Sequence, residues 1–407
     1  TVMAEVRLYD INRMALQQGL MLTTLSGIGD FTVAGFISNC THGSFYRNGL
    51  FSRCVEAVRV VGADGKIEWV DETNPVFRIL LGGMGYFGFI THVKIRLQPA
   101  ASLGAGVIPF NAPVKVLASW LDRHLLPVFQ QHQNTGITLV YDASGAGFLA
   151  TLTPEATGNG SVQATAIGQN SFRLWGARRQ ALFTFMARNM RSARLQILLR
   201  KAFGNFSVFF LKYMTYKAQT QGGFWATTGF LSDVSRCLFL GYFVPVSSFA
   251  DVQTLVALMN DVMKKTGIYT ELPLEIRFVQ ACDSQHLSPV PVYEPRNDDP
   301  FNNLYVAIDI PVNCGGLNLE SLDTKGVVRD AHTTRMLDLY WRLEQAIKKA
   351  FPAARPHWSK FHSLQTDGKS YWAWDREIIQ SMIPEATRAS FHAMMQRVDP
   401  HSVFRNE

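Results

Sequence analysis

Residues able to do chemistry fall in three places. The first is Glu275-Ile276-Arg277, inside a predicted strand over 273–278 that reads Pro-Leu-Glu-Ile-Arg-Phe. Residues two apart on a strand share a face, so Glu275 and Arg277 point together while Leu274, Ile276 and Phe278 point into a core. A carboxylate beside a guanidinium can hold a polyhydroxylated or lactone ligand by charge-assisted hydrogen bonds. The same pair also reads as a cross-strand ion pair on a solvated face. The second place is 355–362, Arg-Pro-His-Trp-Ser-Lys-Phe-His, where Lys360 stands three residues after His357; a surface turn accounts for it as well as a site does. The third is 32–44, Thr-Val-Ala-Gly-Phe-Ile-Ser-Asn-Cys-Thr-His-Gly-Ser. Its short apolar run holds a glycine that reads as incompatible with a helix. Small residues at Ala34, Gly35, Ser38 and Gly43 leave the backbone bare enough for a flat ligand to lie against N–H groups.

The elements that must position these residues follow from periodicity and punctuation. Residues 2–8 read as a strand, followed by a helix capped by Asp10 and stopped at Gly19. Strands are expected over 55–61 and 67–70, joined by the turn Ala63-Asp64-Gly65-Lys66. Asn74-Pro75 opens a short helix to about Leu81. The glycine run 82–88 contains G-x-G-x-x-G, but a helix precedes it and a strand (89–97) follows. A dinucleotide fingerprint needs the opposite order, so that the helix dipole faces the pyrophosphate. Residues 99–104 read as a boundary, after which a helix is expected over 113–129 and a hairpin over 137–152. The polar passage 154–169 reads as a loop or insertion. Further on, the pattern gives a strand at 237–246 and a helix with the capping box Ser248/Asp251 that ends near Gly267. It then gives strands at 272–281 and 304–312 and a helix over 333–351. This alternation predicts an α+β class with a mixed or antiparallel sheet.

Composition narrows the class. With 407 residues, 47% hydrophobic and 17% charged, the chain is globular and long enough for more than one domain. Its five cysteines (Cys40, Cys54, Cys237, Cys282 and Cys314) are odd in number and widely spaced. They suit free thiols in a reducing compartment better than a disulfide framework or a zinc site, and no metal is expected. No apolar run is long enough to span a bilayer, which takes roughly 18 residues or more. The chain opens at Thr1 without a signal-peptide pattern and reads as a piece or processed product of a longer one.

Five segments together resemble the vanillyl-alcohol-oxidase superfamily of flavoproteins, most nearly its sugar-lactone and alditol oxidases. Residues 32–43 are similar to T-V-A-G-x-x-x-x-G-T-H-G, with Cys40 where relatives carry glycine. Residues 85–91 resemble the G-x-x-G-[IV]-[IV]-T turn. Glu275 and Arg277, with Asp283 and Leu287-Ser288-Pro289, resemble E-x-R…D…L-S-P. Residues 355–360 resemble R-P-H-W-[AG]-K, with Ser359 in the variable place, and 399–406 resemble D-P-x-x-x-F-x-N.

The resemblance implies FAD as cofactor and hydride transfer from a sugar-derived alcohol or aldonolactone to flavin N5, with oxygen or another acceptor reoxidising the flavin. It implies flavin contacts from Ser26, Gly27, Thr32, Ala34, Gly35, Ser38, Thr41, His42, Gly43, Gly85, Ile90 and Lys360. Ser26 falls at a small-residue position linked to oxygen access. Glu275 and Arg277 would line the substrate pocket, and Lys360, with His357 in the same motif, would act beside the flavin ring, where a cation offsets the charge of the reduced form. The implied layout is the C-terminal half of a PCMH-type FAD-binding domain (1–100), an α+β substrate or cap domain (101–355) and an active-site segment returning to the flavin domain (356–407). The family's pyrophosphate loop has no counterpart here, so it is expected from residues outside this chain, a separate polypeptide included. A different class of function stays open: an interaction protein that keeps the fold without a working flavin site.

The resemblance leaves out the stretch 154–219, which turns basic and apolar together from Phe172 to Gln219. No Asp or Glu occurs between Glu155 and Asp233, while Arg173, Arg178, Arg179, Arg188, Arg191, Arg194, Arg200, Lys201, Lys212 and Lys217 do. Interleaved bulky residues such as Trp175, Phe183, Leu198 and Phe209 make a helical insertion over about 170–220 that suits an anionic bilayer surface. A plain helical insert packed on the substrate domain reads equally from it. Nucleic acid is not expected, because no binding module is present.

Overall fold

The computed structural model describes residues 1–24, 31–100, 102–131, 135–155, 237–270, 273–281, 288, 290–291, 299–313, 331–368 and 371–404. Ser26, Gly27, Asp283 and the basic stretch lie outside the described residues. Among the described residues no helix is long and apolar enough to cross a membrane.

Two antiparallel sheets organise the chain. The smaller has the strand order β1 (Val2–Met3), β5 (Phe89–Ile95), β3 (Val55–Val61) and β4 (Ile67–Asp71). One face of it buries Val58, Val60, Val70 and Val93 against helices Leu8–Gln17 and Val33–Ser38. The C-terminal helix Glu385–Val398 returns to this same core, where Phe391 meets Phe87 edge to face at 4.9 Å. A two-stranded ribbon, β2 (Leu20–Leu22) with β6 (Leu97–Pro99), closes the unit.

The larger sheet has seven strands. Its members are β7 (Ser102–Asn111), β8 (Gly136–Tyr141), β9 (Ala146–Glu155), β10 (Cys237–Pro245), β11 (Leu274–Gln280), β12 (Leu304–Asn313) and β13 (Arg355–Pro356), in the order β13-β10-β12-β11-β8-β9-β7. The period-2 alternation of the three central strands decides what each face carries. Leu240, Tyr242, Val244, Leu274, Ile276, Phe278, Val306, Ile308 and Ile310 all turn to one side. There they pack beneath helices Leu117–His124, Leu126–Gln130, Phe249–Thr266 and Ala331–Ala350. The other face is covered by the segment around Cys40 and Leu50 and carries Phe243, Val279, Tyr305 and Ala307. Backbone bonds tie the covering segment down, from Ile137 N–H to Ser44 O at 2.7 Å and from Gln280 N–H to Tyr46 O at 2.8 Å. The α+β class with an antiparallel sheet is therefore present, and the Ser248/Asp251 capping box and the left-handed Gly267 bound their helix as expected.

Three local expectations are corrected. The stretch 33–38 is helical in spite of Gly35, because the Thr32 side chain accepts the Gly35 N–H at 3.3 Å and caps the first turn. The first strand ends at Met3; the helix starts at Leu8 with Arg7 as its cap, so Asp10 sits in the first turn, where its charge suits the dipole. The expected helix over 113–129 is three pieces: a 3-10 turn Val114–Val116 and two helices broken at Leu125. Pro127 has no N–H to continue the ladder and instead opens the second helix. The left-handed Cys40 (φ 50°) shows why a glycine would also suit that position.

Candidate functional site

The site is built on the second face of β10, β11 and β12. Antiparallel register sets Asp309 directly across from Glu275 on one side and from Gly241 on the other. Arg277, two residues along from Glu275, donates to its carboxylate through Nε at 3.0 Å and through Nη2 as well. Both side chains are largely buried. This is the shared orientation that the strand period requires.

Lys360 arrives from a separate segment. His357 N–H donates to Gly241 O at 2.9 Å, Phe361 N–H donates to Phe239 O at 2.9 Å, and Lys360 N–H closes a turn onto His357 O. The segment thus runs along the edge of β10, past the strand's only glycine. A Cβ at position 241 would stand 2.5 Å from Lys360 Cδ and 3.1 Å from His357 Cβ, so the bare backbone is what lets the lysine pass. Beyond it, the Lys360 ammonium pairs with Asp309 Oδ1.

Glu344 steadies the segment from the helix Ala331–Ala350. Its fully buried carboxylate accepts Ser363 N–H at 2.6 Å and Leu364 N–H at 2.7 Å, along with the Tyr242 hydroxyl. Lys348 lies 3.2 Å away.

Two buried histidines lie beside the ion pairs. His42 packs against Phe243 and against His357, with ring centroids 5.2 Å apart in each case. Burial, with Lys360 adding repulsion, pushes the His42 pKa down to about 3. Burial likewise holds His357 well below the usual imidazole range, again with Lys360 and also His42 opposing its charge. Both rings are therefore neutral at ordinary pH. The His357 Nδ1 faces the Ser359 N–H at 3.3 Å and the Ser359 hydroxyl at 3.1 Å. Its Nε2 is buried without a hydrogen-bond partner among the described residues.

The four charged groups balance. Burial opposes the Asp309 carboxylate, yet Lys360 first and Arg277 after it hold it below the usual carboxylate range. Burial pulls Lys360 below the usual lysine range, offset in part by Asp309. The Arg277 guanidinium is also opposed by burial and is kept charged by Glu275 and Asp309. Two acids and two cations in one buried cluster keep the net charge near zero, the arrangement that makes buried charge tolerable.

The small-residue segment reaches the cluster through His42. Along the helix Val33–Ser38, Val33, Phe36 and Ile37 face the core while Ala34, Gly35 and Ser38 stay partly accessible, with Thr41 just beyond. Gly43 N–H is taken by Gly49 O at 2.7 Å. Ser38 O accepts Met84 N–H at 3.2 Å, which brings the glycine turn alongside; Gly85 there is left-handed, with open space where a Cβ would be. The Ile90 side chain belongs to the first core. Ser288 is buried and caps Val290 N–H at 3.2 Å. Asp399 binds Val403 and Phe404 N–H, both at 2.8 Å, so that part of the tail motif works as a turn.

Three residues at the centre escaped the sequence reading: Asp309, Gly241 and Glu344. Asp309 had a visible signal as the carboxylate in an otherwise apolar strand, Leu-Tyr-Val-Ala-Ile-Asp-Ile. Gly241 had one as a glycine within a strand, which often marks close backbone approach.

Comparison with known proteins agrees at both ends of the chain. Residues 1–71 match the family model of an FAD binding domain, and residues 241–407 match that of D-arabinono-1,4-lactone oxidase. Among curated proteins, the chain is similar to the D-arabinono-1,4-lactone oxidase of Debaryomyces hansenii, 31% identical over 32% of this chain and 24% of that protein. It is also similar to that of Yarrowia lipolytica, 33% identical over 25% of this chain and 20% of that protein. The match thus spans about a quarter of the length of these relatives or less. In fold, the chain is similar to a solvent-stable cholesterol oxidase, with a TM-score of 0.67 at 17% identity, covering 99% of this chain and 79% of that one. The two family matches point the same way as the motifs, to an FAD-dependent oxidoreductase of D-arabinono-1,4-lactone oxidase type, and the structural likeness shows a shared fold.

Proposed function

We propose that the protein oxidises a CH–OH group of an aldono-1,4-lactone or a related sugar-derived alcohol. The observation that carries this is the buried face where Glu275–Arg277 and Asp309–Lys360 lie side by side, roofed by two neutral histidines. The residues present fit a flavin on three counts. The helix Val33–Ser38 keeps its small residues partly accessible, Gly85 leaves open space above the backbone, and the buried His357 Nε2 lacks a partner among the described residues. Accessible backbone and side-chain groups of Thr32, Ala34, Gly35, Ser38, Thr41 and Gly85 would hold it, with His42 and Lys360 on the side facing the sheet. When bound, the flavin supplies the hydride acceptor.

The chain's own residues do the rest. Glu275 accepts hydrogen bonds from substrate hydroxyls, and Arg277 donates to a lactone or hydroxyl oxygen, a charge-assisted pairing that also fixes which carbon is presented. Lys360 holds its positive charge where negative charge develops. The proposal extends to the layout: residues 1–100 and the returning segment 356–407 around the cofactor, with 101–355 supplying the substrate face.

The test is anaerobic mixing of the flavin-loaded protein with a panel of aldonolactones and alditols, followed by visible absorbance. At least one lactone should bleach the flavin. Glu275→Gln and Arg277→Ala should keep the bound flavin but slow bleaching by about 30- to 1000-fold, the effect of removing one positioned charged donor or acceptor worth about 2–4 kcal/mol. A protein that holds FAD and is reduced by no member of the panel, or variants as fast as the parent, would overturn the reading. Admitting oxygen afterwards separates an oxidase from an enzyme that needs another acceptor.

A further inference from the structure

The geometry assigns Asp309 a role that neither the motifs nor the family match names: it is the positioning residue that holds Lys360 on the sheet face. The inference rests on the reading in which Lys360 faces the flavin. Asp309 is 4% exposed, and its neighbours along β12, Ile308 and Ile310, are in the apolar core. Directly across β11 stands Glu275. Two carboxylates opposite each other repel unless each has its own cation. Glu275 has Arg277. Lys360 is the cation on Asp309, and it reaches that carboxylate over Gly241.

A lysine is a flexible four-carbon stem with a strongly hydrated head, and left alone it turns to water. Lys360 instead keeps its side chain 17% exposed, against a carboxylate that is itself 6% exposed. The charged and titratable groups facing the ammonium are Asp309 and Glu275, which attract it, Arg277, which repels it, and the neutral His42 and His357. Without Asp309 the nearest remaining acid is already engaged by Arg277. Lys360 would then leave the face or give up its proton. Asp309 acts through Lys360 and needs no contact with substrate.

The test uses the full chain with its lysines reductively methylated with carbon-13 formaldehyde and followed by NMR as pH is raised. Lys360→Arg identifies the Lys360 signal. Asp309→Asn should lower the Lys360 titration midpoint by about one pH unit or more, as expected on losing a buried counter-charge, and Asp309→Glu should restore most of it. Flavin reduction should fall about tenfold or more in Asp309→Asn with KM changed far less, the mark of an interaction felt in the reacting complex. In a Lys360→Met background the same substitution should add no further loss.

If Asp309→Asn does not fold, the double variant Asp309→Asn/Lys360→Met decides, because it removes the unpaired buried ammonium and should fold. A double variant that also fails to fold makes Asp309 a structural residue and overturns the inference. So does an unmoved Lys360 titration in a folded Asp309→Asn. The titration needs no substrate, so a protein reduced by no lactone would defeat the proposed function while leaving this readout intact.

Discussion

Gly241→Ala is the smallest change that should empty the site. The added methyl would lie 2.5 Å from Lys360 Cδ, 3.1 Å from His357 Cβ and 3.4 Å from Asp309 Oδ1. Ordinary carbon contacts are about 3.5–4.0 Å, so the lysine stem must retreat by about 1 Å or more. The backbone has no objection, because Gly241 is an extended strand residue paired with Asp309 on β12. Losing a glycine from a strand returns about 0.5–1 kcal/mol, against an overpacking cost of about 1–3 kcal/mol. From these two effects global stability should therefore fall by no more than about 2.5 kcal/mol. The ion pair fares worse. Drawing the ammonium back by about 1 Å weakens its attraction by about 1 kcal/mol at an effective dielectric near 20, and a lost charged hydrogen bond adds about 1.5–3 kcal/mol. A total near 3 kcal/mol corresponds to about a hundredfold in rate. Stopped-flow flavin reduction by the best lactone, with thermal melting beside it, measures both terms. A variant that melts near the parent and reduces its flavin within about threefold of the parent rate would refute the claim that the bare backbone at 241 sets where Lys360 lies.

Two further outcomes are expected. The folded state holds His42 at a pKa of about 3 and His362 at about 4, each lowered first by burial, and His357 well below its ordinary value. The unfolded chain binds protons that these rings refuse, so their contribution is complete above about pH 6.5 and is lost as pH falls toward 4, at up to about 1.4 kcal/mol per pH unit for each; urea midpoints at about pH 7 and about pH 5 should differ accordingly, and equal midpoints would refute the assignment. Glu344→Gln replaces a carboxylate that accepts Ser363 and Leu364 N–H with an amide that cannot accept on both atoms, which should cost about 3 kcal/mol; an unchanged urea midpoint would show that the segment carrying Lys360 is anchored elsewhere.

Much of the frame was legible because it is local. The strand period put Glu275 and Arg277 on one face, and Ser248, Asp251 and Gly267 marked both ends of a helix from hydrogen-bonding chemistry within a few residues. The helix over 33–38 is not legible from Gly35 alone, because the Thr32 cap offsets the glycine. The centre of the site was less legible, since its partners meet only through pairings far apart in sequence. Asp309 faces Glu275 because β11 and β12 adopt one register and no other, and a slip of one residue would turn every side chain to the opposite face. Lys360 passes Gly241 because a segment more than a hundred residues later lies alongside β10.

The same reasoning explains why Glu344 gave no warning. In the helix Ala331–Ala350 it sits four residues before Lys348, the spacing of an ordinary solvated pair. Its carboxylate nevertheless points inward, because two N–H groups of the following segment and the Tyr242 hydroxyl need an acceptor where water cannot reach. Tyr242 and Gly241 are neighbours on β10 but face opposite sides of the sheet. One therefore meets the carboxylate that anchors the segment, and the other gives passage to the lysine that the segment delivers. A single strand thus links the apolar core on one side to the charged face on the other, so a change that loosens the Glu344 anchor should be felt as a displacement of Lys360 before the sheet itself is disturbed.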